Sequence, residues 1–220
     1  MDMLRTRVKM CGTTSARDAM AAVEAGVDAL GFIFVKKSPR YISPDDAASI
    51  IDILPPFVTK VGVFVDSRPK DIIETITYCG LNQVQLHGNE NPQKCMEIRR
   101  ANQIFSICKA FRVGVEAPPI DFSAYSPVVD SVLLDTYVKG QDGGTGETFD
   151  WDLIARLKLD RPLILAGGLS AENVREAIQS VAPYAVDVNS GIEVAPGIKD
   201  HKKLTTLLQE VRRADQEKNN

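Results

Sequence analysis

Short β-branched and apolar runs alternate along this chain with stretches of helical periodicity. Strands are predicted to begin near Thr6, Asp28, Val58, Asn82, Ile104, Asp130, Pro162 and Tyr184. Neighbouring starts lie between 22 residues (Thr6 to Asp28) and 32 residues (Asp130 to Pro162) apart, room for one strand and one crossover helix. The ends of several helices carry the same punctuation. In Ala25-Gly26-Val27-Asp28 and Cys79-Gly80-Leu81-Asn82, the glycine accepts the left-handed conformation that closes a helix before the next strand. Helix starts are legible too. Ser15-Ala16-Arg17-Asp18 reads as a capping box, and Ser43-Pro44-Asp45-Asp46 sets a cap, a first-turn proline and two acids in order. Val115 to Pro127 carries three prolines and little periodicity, so a turn or a 3₁₀ piece is expected where a fifth helix would stand. Eight β units with crossovers predict an α/β chain folded as a single-domain (β/α)8 (TIM) barrel over residues 1–220, with the polar tail 212–220 fraying. A doubly wound open sheet is the alternative, weakened because no G-x-G-x-x-G follows the first strand.

Composition narrows the chemistry. The 220 residues are 44% hydrophobic and 25% charged, ordinary for a globular chain with a sizeable core. A net charge of -3 gives no reason to expect nucleic acid or an anionic membrane as partner. The apolar runs are strand-length, well short of the roughly 20 residues of a membrane helix. Met1-Asp2-Met3-Leu4-Arg5 shows no apolar signal region, so a cytoplasmic protein is expected. Cys11, Cys79, Cys95 and Cys108 are widely spaced without a C-x-x-C pair, which argues against a disulfide framework or a zinc site. With only His87 and His201, no metal built on several histidines is expected.

In a barrel, reactive groups come from the C-terminal ends of strands. Here those ends are polar. Alternation sets Lys9 and Cys11 on one face of the first strand, Gln83, Gln85 and His87 together on the fourth, and Asp187 with Asn189 on the eighth. Closure makes the first and eighth strands neighbours, so Lys9 and Asp187 are expected to meet as an ion pair below Cys11. Asp135 ends the run Val132-Leu133-Leu134, and a thiol with a carboxylate at two strand ends forms a candidate base and acid. Plain alternatives stand beside each reading: a buried thiol as a small hydrophobe, Asp135 as an acceptor for loop amides, His87 as a satisfied core histidine. Leu165-Ala166-Gly167-Gly168-Leu169-Ser170 and Asn189-Ser190-Gly191-Ile192-Glu193 place glycines where barrels of this kind bind phosphate on backbone amides. Lys139 to Gly146 holds four glycines in eight residues and is a candidate lid, with a plain flexible loop as the alternative. Ser38-Pro39-Arg40 is a proline-stiffened loop that would aim a guanidinium at a carboxylate.

Taken in order along the chain, these segments resemble the phosphoribosylanthranilate isomerase family of tryptophan biosynthesis. The likeness runs through Lys9-Met10-Cys11-Gly12, Ser38-Pro39-Arg40, Gln85-Leu86-His87-Gly88, Leu134-Asp135, Gly143-Gly144-Thr145-Gly146 and Phe149-Asp150-Trp151. It continues through Ala166-Gly167-Gly168-Leu169, Asp187 to Glu193 and Pro196-Gly197-Ile198-Lys199-Asp200. Met10 stands where the family commonly has isoleucine, and Asn189 where serine is frequent. The resemblance implies an Amadori rearrangement of N-(5-phosphoribosyl)anthranilate to 1-(o-carboxyphenylamino)-1-deoxyribulose 5-phosphate. It implies Cys11 as general base and Asp135 as general acid, with Arg40 on the anthranilate carboxylate. Lys9, Gln85, His87 and Asp187 would lie by the sugar, and Gly167, Gly168, Asn189, Ser190 and Gly191 by the phosphate. Gly143, Gly144, Thr145 and Gly146 would close the site. No cofactor or metal is implied; the partner is a small phosphosugar, with other tryptophan-pathway enzymes as candidate neighbours. A noncatalytic phosphosugar-binding barrel is the alternative from another class, disfavoured because Cys11 and Asp135 are both present.

Overall fold

Each predicted strand start lies within two residues of an observed one. The strands are β1 Arg7–Met10, β2 Ala29–Ile33, β3 Thr59–Phe64, β4 Gln83–Leu86, β5 Ser106–Arg112, β6 Ser131–Asp135, β7 Leu163–Ala166 and β8 Ala185–Val188. The chain is described by a computed structural model over residues 5–101, 104–113, 120–135, 154, 157 and 159–218. The eight strands pair in sequence order, all parallel, and β8 returns to β1 to close the barrel. Arg7↔Ala185 to Met10↔Val188 is the closing register, and it removes the open-sheet alternative.

Helices α1 Ala16–Ala25, α2 Pro44–Asp52, α3 Pro69–Cys79 and α4 Pro92–Ala101 follow the first four strands. Their ends hold the expected caps. Ser15 Oγ accepts from the Asp18 amide at 3.1 Å, and Ser43 Oγ from the Asp46 amide at 3.1 Å. Gly26 and Gly80 close α1 and α3 in the left-handed region. The Asp18 carboxylate does not complete a capping box. It is drawn to His201, 2.7 Å away, and so ties α1 to the start of the C-terminal helix.

Strand alternation divides the core into two layers. Val8, Met10, Leu30, Phe32, Val84, Leu86, Val132 and Leu134 pack with the helices. Cys108, Ala110, Leu133, Ile164, Ala166 and Ala185 form the smaller cluster inside the barrel. The inner residues are mostly small, which leaves volume for the polar groups at the strand ends.

The described part of the β5–β6 connection carries a 3₁₀ turn at Phe122–Ala124, in line with the expected lack of a fifth helix. The tail departs from expectation. His201–Lys218 is one helix, which takes in residues 212 to 218 of the expected polar tail. Val211 and Ala214 keep the apolar spacing of its buried face, and Asp215 accepts from the Thr6 amide at 2.8 Å and the Thr6 hydroxyl at 2.7 Å. A small antiparallel hairpin, β9 Glu193–Ala195 with β10 Ile198–Lys199, follows β8 and was not legible as strand. Gly143, Gly144, Thr145 and Gly146, the expected lid, lie outside the described residues. Among the described residues, no helix is long and apolar enough to cross a membrane.

Candidate active site

The site is built on the seam between β1 and β8. Lys9 and Asp187 are register partners, and Lys9 Nζ lies 2.7 Å from Asp187 Oδ2 with both side chains buried. This is the ion pair expected from alternation and closure. Cys11 follows one turn of the pleat above it, its amide donating to Val188 O at 2.8 Å. Gly31 on β2 makes room for both side chains. A Cβ there would stand 2.9 Å from Cys11 Sγ and 3.1 Å from Lys9 Nζ. Asp187 Oδ1 is buried and has no hydrogen-bond partner among the described residues, which leaves it as an unused acceptor.

The electrostatics follow from burial and this pairing. Burial works against the Lys9 ammonium, but Asp187 and then Cys11 outweigh it and hold the lysine above its ordinary pKa. For Cys11, burial pushes the thiol up, and Lys9 opposes this only in part. Lys9 therefore favours the thiolate, as its shared face suggests, without overcoming desolvation.

On the opposite side of the barrel, β4 and β6 bring up three more groups. Gln85 Nε2 and His87 Nδ1 are 3.1 Å apart. If the amide nitrogen donates there, the neutral imidazole carries its proton on Nε2. That nitrogen stands 3.4 Å from Asp135 Oδ2, at the end of β6. A cavity of about 710 Å³ opens beside His87, walled by Asp66, Phe111, Arg112 and Tyr125. Of the groups named so far as candidates for chemistry, its described lining holds only His87, so the cavity widens the mouth rather than forming its centre.

Arg40 does extend toward a carboxylate, but one from its own chain. Its Nε lies 3.0 Å from each oxygen of Glu193, and its Nη2 lies 2.6 Å from Glu193 Oε2. Lys199 Nζ donates to Glu193 Oε1 at 2.8 Å and to Asn189 Oδ1 at 2.9 Å. Burial would raise the Glu193 carboxyl, but its bonds to Arg40 and Lys199 hold it below the usual carboxylate range. Burial lowers the Lys199 ammonium, and Glu193 offsets only part of that.

The β7 and β8 loops come together behind Cys11. Gly167 and Gly168 both take positive φ, 97° and 60°, which turns the chain sharply after β7. Gly191 packs against that turn so closely that a Cβ would lie 2.1 Å from Leu169 O. Gly191 therefore serves loop-on-loop packing whatever else it binds. At Gly168 a Cβ would meet nothing within 4 Å. Among the described residues, no hydrogen bond engages the amides of Gly168, Ser190 or Gly191. Asn189 is less available, since its Oδ1 is taken by Lys199.

The structure thus gathers Lys9, Cys11, Asp187, Arg40, Asn189 and the two glycine loops around the β1–β8 seam, and Gln85, His87 and Asp135 across from them. Sequence reasoning gave no role to Gly31, Glu193 or Lys199. The last two stand inside segments whose acid and base gave a signal, but their partner Arg40 is distant in sequence. It also missed a third buried pair, which lines the cavity beside His87. Lys109 Nζ lies 3.1 Å from Glu90 Oε2 and donates to the carbonyls of Leu86, Gly88 and Ala110. No group of three His, Cys, Asp or Glu side chains is placed to hold a metal among the described residues.

Known proteins give this arrangement a context. The family model described as N-(5'phosphoribosyl)anthranilate (PRA) isomerase matches residues 8–210. An N-(5'-phosphoribosyl)anthranilate isomerase of Geobacter sp. (strain M21) is 48% identical over 213 residues, covering 94% of this chain and 98% of the relative. One from Nitrosospira multiformis is 49% identical over 207 residues, covering 93% and 96%. The crystal structure of phosphoribosyl anthranilate isomerase from Thermotoga maritima superposes with a TM-score of 0.83 at 43% identity, covering 94% of this chain and 99% of that one. A phosphoribosyl anthranilate isomerase in complex with reduced 1-(o-carboxyphenylamino)-1-deoxyribulose 5-phosphate gives a TM-score of 0.79 at 42% identity, with the same coverage.

Proposed function

Because the chain belongs to the N-(5'-phosphoribosyl)anthranilate isomerase family and is an isomerase of tryptophan biosynthesis, we propose how its own residues carry the rearrangement. Asp135 gives a proton to the ribose ring oxygen. The C1′–O bond breaks as the anilino nitrogen lone pair forms a C1′=N iminium. That cation acidifies the C2′ hydrogen. Cys11, as thiolate, takes the proton, the C–H electrons become the C1′=C2′ bond, and the C1′=N π pair returns to nitrogen, giving a neutral enolamine. Loss of the C2′ hydroxyl proton and protonation at C1′ then give the ketone. No net oxidation occurs, so the chain's own acid and base suffice in principle.

The observation that carries this reading is the buried Lys9–Asp187 pair beneath Cys11, at the barrel end where no hydrogen bond among the described residues engages the amides of Gly168, Ser190 or Gly191. Lys9 steadies the thiolate electrostatically, and the iminium reduces the basicity it needs. Asp187 Oδ1, Gln85 and His87 face the sugar hydroxyls. The amides near Gly167, Gly168, Ser190 and Gly191 hold the phosphate, with Asn189 as a neighbour of that loop. Arg40 takes the anthranilate carboxylate, which a guanidinium grips with two parallel hydrogen bonds. Gly143 to Gly146 would close over the bound sugar. The reading also places the enzyme in the cytoplasm, with a phosphosugar as ligand.

Two experiments test it. The chain should restore growth to a tryptophan auxotroph that lacks this isomerase. Asp135→Asn should lose turnover by about 10²–10⁴-fold, since an amide cannot supply an acidic proton. A folded Asp135→Asn enzyme with near-normal kcat would remove the acid role.

A further inference from the structure

We infer that Glu193 is a positioning residue for Arg40: it fixes one edge of the guanidinium so that the other edge is presented to the anthranilate carboxylate. The inference rests on the reading of Arg40 given above and names the residue that sets its geometry.

A guanidinium offers a side edge, Nε with one Nη, and an end edge made of the two Nη groups. Glu193 occupies the side edge, with Nε at 3.0 Å from both oxygens and Nη2 at 2.6 Å from Oε2. That leaves the end edge for a second carboxylate. The glutamate is itself held firmly. Its Oε1 also accepts from Lys199 Nζ at 2.8 Å and from the Gly197 amide at 3.1 Å. Its carbonyl accepts from Lys203 Nζ at 3.0 Å. Glu193 is buried, with 7% of its surface exposed. Lys199 then bridges to Asn189 Oδ1, so Arg40 is braced against the β8 loop. On its other flank the Arg40 stem passes close over the turn after β1, where a Cβ on Gly12 would lie 2.9 Å from Arg40 Cδ.

Charge supports the same assignment. Arg40 and Lys199 against Glu193 leave one net positive charge at this corner, which suits an anionic ligand group. Without Glu193, a long arginine at the barrel rim would have to be ordered by the substrate itself. Ordering one rotamer-rich side chain costs enough to weaken binding by roughly 2–12-fold.

Glu193→Asp is the informative variant, because it keeps the charge and withdraws the carboxylate by one methylene. Affinities are measured for reduced 1-(o-carboxyphenylamino)-1-deoxyribulose 5-phosphate and for the same compound without its carboxyl group. The expected result is a loss of about tenfold for the carboxylate ligand alone, a raised KM with little change in kcat, and no further loss when the change is made in Arg40→Ala. Thermal melts of each variant separate a folding defect from a binding one. Equal losses on both ligands, or unchanged affinity for the carboxylate ligand in a folded Glu193→Asp enzyme, would overturn the positioning role. So would a further loss in the Arg40→Ala background. If Arg40→Ala itself fails to distinguish the two ligands, the reading of Arg40 fails first and this inference with it.

Discussion

Replacing Lys9 by methionine removes one partner of a buried ion pair and leaves the other charged. Lys9 and Asp187 side chains are 4% and 6% exposed, and their contact is 2.7 Å. Among the described residues, Asp187 Oδ1 has no hydrogen-bond partner and Lys9 is the carboxylate's one direct ionic partner, which Lys9→Met would remove. Breaking a buried pair in this way costs about 3–5 kcal/mol. For a chain of this size each kcal/mol lowers Tm by about 2–4 °C, so a fall of roughly 6–20 °C is expected. Replacing Asp187 by asparagine as well removes the orphaned charge, and the double variant Lys9→Met/Asp187→Asn should regain much of that loss. The chemistry moves separately. Lys9 opposes the rise that burial imposes on Cys11, so the Lys9→Met thiol should ionise at still higher pH. Turnover at neutral pH should fall, and its rising limb should move to alkaline values. Calorimetry of wild type, Lys9→Met and the double variant, and initial rates against pH, test both parts. A Lys9→Met protein within about 1 kcal/mol of wild type, well below the expected cost, would refute the energetic reasoning. A double variant no more stable than the single one would refute it too.

Gly31→Ala should crowd the thiol, since its Cβ would sit 2.9 Å from Cys11 Sγ; a displacement approaching 1 Å costs about 10²-fold in turnover, read as kcat against an almost unchanged affinity for the reduced product. The two phosphate-loop glycines should separate in their behaviour. Gly191→Ala meets Leu169 O at 2.1 Å and should lower Tm sharply, whereas at Gly168 a Cβ meets nothing within 4 Å, so Gly168→Ala carries only the strain of its left-handed φ of 60°, about 1–3 kcal/mol, and should fold with weakened binding of phosphorylated ligand. If Gly168→Ala binds that ligand normally, the phosphate assignment is wrong. The buried thiols also make stability depend on pH. Burial raises Cys79, Cys95 and Cys108 from an ordinary value of 9.0 to about 11. The unfolded chain then loses these protons first on raising pH, so they contribute stability that is complete below pH 9 and declines toward pH 11. Replacing the three by alanine should flatten the decline of ΔG over that window, and an unchanged slope would contradict the shifts.

What was legible in the sequence was what repeats locally. Strand alternation and helix caps depend on near neighbours, so Thr6, Asp28 and Asn82 marked their strand starts, and Ser15 and Ser43 marked their helices. Barrel closure is a topological rule, and with alternation it was enough to join Lys9 to Asp187 across the whole chain. What escaped depended on chain segments that only the folded barrel brings together. Glu193 and Lys199 sit in a short hairpin after β8, while their partner Arg40 comes from the loop after β2. No local pattern connects them. Lys109 was hidden for a similar reason: its ammonium is satisfied by three carbonyls and Glu90, contributed by β4, β5 and the loop after β4. The polarity of residues 212–218 suggested a frayed tail because the spacing of Val211 and Ala214 is a weak signal without the groove that receives it.

The central claim is that Cys11, as thiolate, removes the C2′ proton. Single-turnover rates of wild type and Cys11→Ala, each saturated with N-(5'-phosphoribosyl)anthranilate, test it most directly when paired with the Kd of the reduced product for both proteins. Loss of a positioned base should slow the single turnover by about 10²–10⁴-fold, while Kd stays within about twofold because the phosphate and carboxylate contacts remain. A Cys11→Ala enzyme that turns over near the wild-type rate would contradict the assignment and leave the base to be sought among the other groups facing the sugar.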